Sequence, residues 1–397
     1  MTIYQNLEGN DGSFTFRTVV LLLGVAVIGS NAFLISPILS DISHSLGASV
    51  AQVAWAVSAY GGSTAMAGLF LTGLAQRLEY RLTLQLAGCV LAASILASGL
   101  ATHYVVLVLA QSLAGLGAGV MLPTLYSMTA IIAPKGRESA TLGKVITGWS
   151  LAMVAGVPLS AFVSDLLSWR YAYYLVFLMA SLATLGFSRL PAGDRSVSGG
   201  STTLVQALAI PKAKPALMIS FLYMVSFYGT YTFLGSQVQQ GLDRTATYAG
   251  FAVLAYGLGF GLAGMGGNLL DTWTPQKLIK PVLLAIASIY LGFLILAQQY
   301  WSLVLGCILW GIVNQIGLNC LVSILTQLDE RQRVRLMGVY SAVAYGGTMV
   351  AGITFGWLYQ LGKFPMLLLT AAVLCVTAFL ISVWLSSGFT RPGYPPR

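Results

Sequence analysis

Met153-Val-Ala-Gly156 recurs letter for letter as Met349-Val-Ala-Gly352, 196 residues further along a chain of 397. Two other matches share that offset: Ser58-Ala-Tyr-Gly-Gly62 returns as Leu254-Ala-Tyr-Gly-Leu258, and Gly115 maps onto Gly311. Short matches arise by chance in low-complexity sequence, but three at one spacing close to half the length point to an internal duplication. Between the copies lies Leu190-Pro-Ala-Gly-Asp-Arg-Ser-Val-Ser-Gly-Gly-Ser201, the start of a hydrophilic stretch over 190–213. The expected organisation is a first half over 1–189, a linker over 190–213 and a second half over 214–397.

Each half is built for lipid. Asp, Glu, Lys and Arg make up only 31 of the 397 residues, 8%, where a soluble domain carries about 25%. So few charges do not cover a water-facing surface, which disfavours a soluble enzyme, a disordered chain and a nucleic-acid binder. A helix crosses the hydrocarbon region with about 20 apolar residues. The sequence offers twelve such stretches, at 17–39, 51–75, 81–101, 104–133, 140–165, 169–189, 214–238, 246–270, 276–297, 301–327, 334–361 and 364–386. Barrel strands would read as short alternating segments, which these are not. The first run is too long for the apolar part of a cleavable signal, and no small-residue processing site follows it. The fold class expected is an all-α membrane protein, twelve transmembrane helices in two six-helix pseudo-symmetric bundles.

Basic residues set the expected orientation. With both termini in the cytoplasm, 17 of the 20 Lys and Arg fall on the inner side, and only Arg170, Arg244 and Lys363 fall outside. The net charge of +9 is then mostly topology, and no nucleic-acid partner is expected. The membrane expected is the cell (inner or plasma) membrane.

Three motifs give the chain a resemblance to the major facilitator superfamily, specifically its twelve-helix drug:proton antiporter and metabolite-efflux branch. Thr72-Gly-Leu-Ala-Gln-Arg-Leu-Glu-Tyr-Arg81 is similar to the family's loop motif, with Leu74, Ala75, Arg77 and Arg81 matching and Gln76 in place of the acid. Its counterpart in the second half, Gly267-Asn-Leu-Leu-Asp271, keeps the Gly-x-Leu-x-Asp pattern. The resemblance implies an inner-side charge latch at these loops. Gly148-Trp-Ser-Leu-Ala-Met-Val-Ala-Gly-Val-Pro158 resembles the small-residue and Gly-Pro signature of exporters. Gly148 and Gly156 would permit close helix contact, and Pro158, lacking a donor, would bend the span. Gln111-Ser-Leu-Ala-Gly-Leu-Gly-Ala-Gly119 resembles a motif that opens with an arginine linked to proton transfer; Gln111 stands in its place.

Ionisable groups at mid-membrane are costly and mark function, and none is expected here, since all 11 acids fall in loops or at span ends. Asp41 and then Asp271 are the candidates for proton coupling; the competing reading is that both cap helices or latch loops. Uncharged polar groups do fall at mid-depth. Asn31, Gln111, Tyr228, Tyr231, Asn314, Gln315 and Asn319 lie in the first, fourth, seventh and tenth spans, which line the central cavity in the family the chain resembles, and Trp149 joins them from the fifth. Amides and aromatics without fixed charge suit a neutral or amphipathic solute. Equally, each amide can simply bond a neighbouring helix, a role worth about 0.6 kcal/mol.

No cofactor or metal is expected. The four cysteines show no ligand spacing, and Gly259-Phe-Gly-Leu-Ala-Gly264 lies inside a span rather than after a strand. No catalytic constellation is present, so the chain is not read as an enzyme. The leading expectation is a monomeric secondary exporter of a drug-like molecule or secreted metabolite, driven by protons and working in membrane lipid. Its rivals are a facilitator or importer of a neutral solute such as a sugar, and a non-transporting membrane sensor.

Overall fold

The computed structural model describes residues 11–71, 78–192, 208–265, 274–329 and 333–387. Arg77, Asp271 and most of the linker lie outside the described residues. All regular structure among the described residues is helical, as lipid requires when every backbone N–H and C=O must find its partner within the segment.

The helices are α1 (Asp11–Leu46), α2 (Val50–Met66), α3 (Tyr80–Gly99), α4 (Tyr104–Ile132), α5 in the pieces given below, α6 (Trp169–Phe187), α7 (Ala213–Ser236), α8 (Ala246–Met265), α9 (Pro275–Leu296) and α10 (Tyr300–Leu328). The last helical stretch, Arg333–Ser387, is interrupted by non-helical Gly362 and by Lys363 at φ 55°, and so forms α11 (333–361) and α12 (364–387). Single-turn π segments extend α2 (Ala67–Leu71) and α7 (Gln237–Gly241). Among the described residues ten stretches are long and apolar enough to cross a membrane, the last of them covering both α11 and α12. The 17-residue α2 with its π turn completes twelve.

Polar side chains start the helices where the sequence places them. Ser49 and Gln52 form a reciprocal capping box on α2, and the His103 and Ser168 side chains accept the first N–H groups of α4 and α6. The span expected at 140–165 is not one continuous α-helix. It runs as Glu138–Ile146, Gly148–Leu151, a π turn at Ala152–Gly156, and Val157–Leu166. Pro158 supplies the reason. It has no N–H, and its ring crowds the carbonyl four residues back; the chain widens there, and the Val157 N–H donates to the Ala152 carbonyl five residues back.

The duplication is visible in the packing. Gly115 of α4 lies against the Tyr60 carbonyl of α2, so closely that no Cβ fits. Gly311 of α10 lies in the same way against the Tyr256 carbonyl of α8, each partner shifted by the 196 residues of the repeat. Within the halves α2 packs on α4 and α3 on α6, as α8 packs on α10; the halves meet through α1 with α7, α5 with α8, and α2 with α11. No described acidic or basic side chain is buried, while the interior holds three buried amides, Asn31, Gln111 and Asn314, among serines and threonines. Among the described residues the interior is thus free of charge, as expected. The α1–α2, α5–α6, α7–α8 and α11–α12 connections share one end of the bundle, called here the Asp41 end.

Candidate functional site

Asn31 of α1 and Gln111 of α4 are each 1% exposed and hold one another. Asn31 Nδ2 donates to Gln111 Oε1 at 3.0 Å, and Gln111 Nε2 donates to Asn31 Oδ1 at 3.2 Å and to Ser98 Oγ of α3 at 3.0 Å. A residue expected in place of an arginine therefore ties three helices of the first half together. In the second half, Asn314 Nδ2 donates to the Tyr256 hydroxyl at 3.2 Å, and the Asn314 carbonyl accepts the Tyr223 hydroxyl at 2.7 Å. Asn314 Oδ1 and Gln315 Oε1 are buried atoms without a hydrogen-bond partner. Gln315 Nε2 donates along its own helix to Asn319 Oδ1 at 3.4 Å.

Aromatic rings bridge these two polar groups. Phe33 of α1 stacks on Tyr228 of α7, ring centres 6.2 Å apart and 10° from parallel. It meets Tyr231 edge-on at 5.1 Å and Trp149 of α5 at 6.0 Å. Trp149 Nε1 in turn donates to the Tyr126 hydroxyl of α4 at 3.2 Å. From Tyr231 the layer continues through Phe227 and Tyr256 to Trp310, with Tyr256 and Trp310 at 4.9 Å. Such offset and edge contacts add about 0.5–1.5 kcal/mol each beyond burial. The structure thus brings together Trp149, Tyr228 and Tyr231 around Phe33, with Asn31 and Gln111 paired on α1 and α4 and Asn314 bonded to Tyr256 of the same layer. Gln315 and Asn319, half-buried on α10, make their one direct bond to each other.

Phe33 was absent from the sequence candidates because nothing in the spacing of α1 distinguishes it from other apolar residues. Tyr256 carried a signal that went unused: it is the tyrosine of the repeated Ala-Tyr-Gly, partnered by Tyr60 in the first half. A separate cavity of about 500 Å³ opens between α2 and α11, lined by Trp55, Ser58, Gly62, Met66, Met349 and Ile353. Its walls are apolar, and none of the amides reaches it.

The motif residues sit at helix crossings. A Cβ on Gly148 would stand 2.6 Å from the Leu22 carbonyl, and one on Gly156 would strike Ser30 Oγ, so α5 lies directly on α1 through both positions. On its other side, Pro158 and Ala161 pack against Gly250 of α8. Asp41 is half-buried at the end of the bundle and joins the halves: Gln239 Nε2 donates to both of its oxygens at 3.1 Å, and Ser164 donates at 3.4 Å. Arg81 is 41% exposed and pairs with Glu79 at 4.0 Å, a loose local contact. No group of three or more His, Cys, Asp or Glu able to hold a metal occurs among the described residues.

Known proteins match this arrangement over most of its length. The family model described as Major Facilitator Superfamily matches residues 21–329. The uncharacterized MFS-type transporter YwfA of Bacillus subtilis (strain 168) is 26% identical over 375 residues, 92% of this chain and 91% of that one. A probable sugar efflux transporter of Helicobacter acinonychis (strain Sheeba) is 26% identical over 361 residues, 87% of this chain and 89% of that one. Among solved structures, an inward-facing, occupied bacterial homolog of the human lysosomal transporter Spinster superposes with a TM-score of 0.75 at 14% identity, covering 98% of this chain and all of that one. The nucleoside transporter NupG does so with a TM-score of 0.75 at 13% identity, covering 95% and 100%. A helical fold with a repeat of 196 residues, no buried charge among the described residues and a family match across 21–329 lead to one assignment. The chain belongs to the major facilitator superfamily, as a multi-pass membrane transporter and not an enzyme.

Proposed function

We propose that this transporter exports a small, neutral or amphipathic organic compound by alternating access, its halves 1–189 and 214–397 rocking about the aromatic layer at Phe33. The observation that carries this reading is the layer itself. Phe33, packed on Trp149 of its own half, meets Tyr228 and Tyr231 of the second half, and unpartnered Asn314 Oδ1 and Gln315 Oε1 remain as acceptors in the second half. Rings offer apolar faces to a solute, and the free oxygens offer acceptors to its hydroxyl or amine hydrogens. No described charge is buried, so an ionic cargo would leave water without a counter-charge. Drug-like molecules, secreted metabolites and sugars all fit these terms. Relatives named as probable sugar efflux transporters support the outward direction.

Proton antiport is the proposed drive, with Asp41 as the first candidate carrier and Asp271 as the second. Asp41 contacts Gln239 across the halves, so its surroundings change whenever that end opens. Both termini are assigned to the cytoplasm from the basic residues, in the cell membrane, as a monomer. The test is flux in everted vesicles, screened across drugs, sugars and secreted metabolites. Substrate uptake that collapses with an uncoupler supports proton-driven export. Equilibration unaffected by the uncoupler replaces it with the second reading, a facilitator of a neutral solute, which the lack of any buried described acid favours.

A further inference from the structure

The Asp41 end is held shut by hydrogen bonds between the halves. Ser36 Oγ donates to the Tyr231 carbonyl at 2.5 Å, and the hydroxyls of Ser40 and Ser236 meet at 3.1 Å. The densest contact lies at the end of α5. Asp165 accepts the Thr245 hydroxyl at 2.5 Å, the Ala246 N–H at 3.0 Å and the Thr247 N–H at 2.7 Å. Those donors are the residue before α8 and the first two residues of the helix.

The repeat shows what is unusual about this arrangement. Thr245 stands 196 residues after Ser49, which precedes α2. Ser49 caps its own helix: its hydroxyl accepts the Gln52 N–H at 3.2 Å, and its N–H donates to Gln52 Oε1 at 2.8 Å. The opposite half adds to it only a 3.4 Å bond from Gln360. At α8 the hydroxyl turns instead to Asp165, and the helix takes its cap from the other half. The first N–H groups of a helix have no partner within it, and the dipole there favours a carboxylate. Parting the halves at this end therefore strips α8 of its cap and leaves α2 capped.

We infer that Asp165 is the strut that keeps the Asp41 end closed, and that release of the α5–α8 seam, rather than the α2–α11 seam, governs its opening. Asp165 acts through α8 and is a positioning residue of the transport cycle.

The test uses the full chain in liposomes with Cys89, Cys307, Cys320 and Cys375 changed to Ala and with Ser40→Cys and Ser236→Cys introduced. Their hydroxyls are 3.1 Å apart, so the cysteine pair reaches disulfide geometry only when this end is closed. Asp165→Ala should slow oxidative cross-linking about tenfold, in line with the loss of a helix cap. Gln360→Ala should change it less than about twofold, as befits one exposed bond. Thr245→Val, which removes a single bond, should fall between, and it decides the matter if Asp165→Ala does not fold. Unchanged cross-linking in Asp165→Ala and Thr245→Val, or an equal slowing by Gln360→Ala, overturns the proposal. The measurement needs no substrate, so its failure leaves the export reading standing, and failed flux leaves the strut standing.

Discussion

The Asn31–Gln111 pair allows a direct separation of helix bonding from substrate contact. Gln111→Leu removes two hydrogen bonds to Asn31 and one to Ser98, and it leaves Asn31 buried without that amide partner. Hydrogen bonds between membrane helices average about 0.6 kcal/mol by double-mutant cycle, with a ceiling near 1.7. A reciprocal amide pair belongs toward that ceiling, so the coupling energy between the two sites should be about 1–1.7 kcal/mol. Each single Leu variant should lose about 2 kcal/mol, because it orphans its partner. Asn31→Leu with Gln111→Leu should lose about 2.3–3 kcal/mol, well short of the sum of the two singles, since removing both partners leaves neither amide orphaned by the other. Unfolding free energies in mixed micelles, taken for the four members of the cycle, measure this. Additive losses, with coupling under about 0.3 kcal/mol, would refute the pairing. Transport by the double variant then decides the role: restored flux means the amides serve helix contact alone, and a KM that stays raised means they also meet the cargo.

Three other outcomes follow from the packing. Gly156→Leu should insert and yet lose transport because α5 can no longer lie on Ser30, and Gly156→Ala should regain part of its activity with Ser30→Gly; normal flux from Gly156→Leu would count against the α1–α5 contact. Asp41→Asn should flatten the pH dependence of transport if Asp41 carries the proton, and an unchanged profile removes it as the carrier. Phe33→Ala, which breaks the ring contacts to Trp149, Tyr228 and Tyr231, should raise KM several-fold or more, whereas an unaltered KM at normal protein levels would place the cargo elsewhere.

Twelve apolar stretches, the repeat of 196 residues and the lack of internal charge were all legible in the residue order, because burial in lipid acts on each segment separately and leaves its mark in composition. The helix ends were legible for a similar reason. Ser49 with Gln52, Ser168, and the break at Gly362–Lys363 are local devices acting over a few residues. Even the departure at α5 had its cause in view at Pro158, although the sequence predicted a bend and the backbone answered with a π turn.

The partners of polar and aromatic side chains came from the tertiary structure alone. Asn31 and Gln111 are 80 residues apart, Asp41 and Gln239 are 198 apart, and Asp165 reaches Thr245 across 80. Asn31 and Gln111 were both candidates, but composition does not say that they satisfy each other rather than face a cavity. Phe33 gained its place only when α5 and α7 closed around α1. Asp165, one loop acid among several in the sequence, became a cap for a helix of the other half. Hydropathy depends on what each residue is; a hydrogen bond or ring contact depends on which second residue lies within about 3–6 Å, and only the packing of the two halves supplies it.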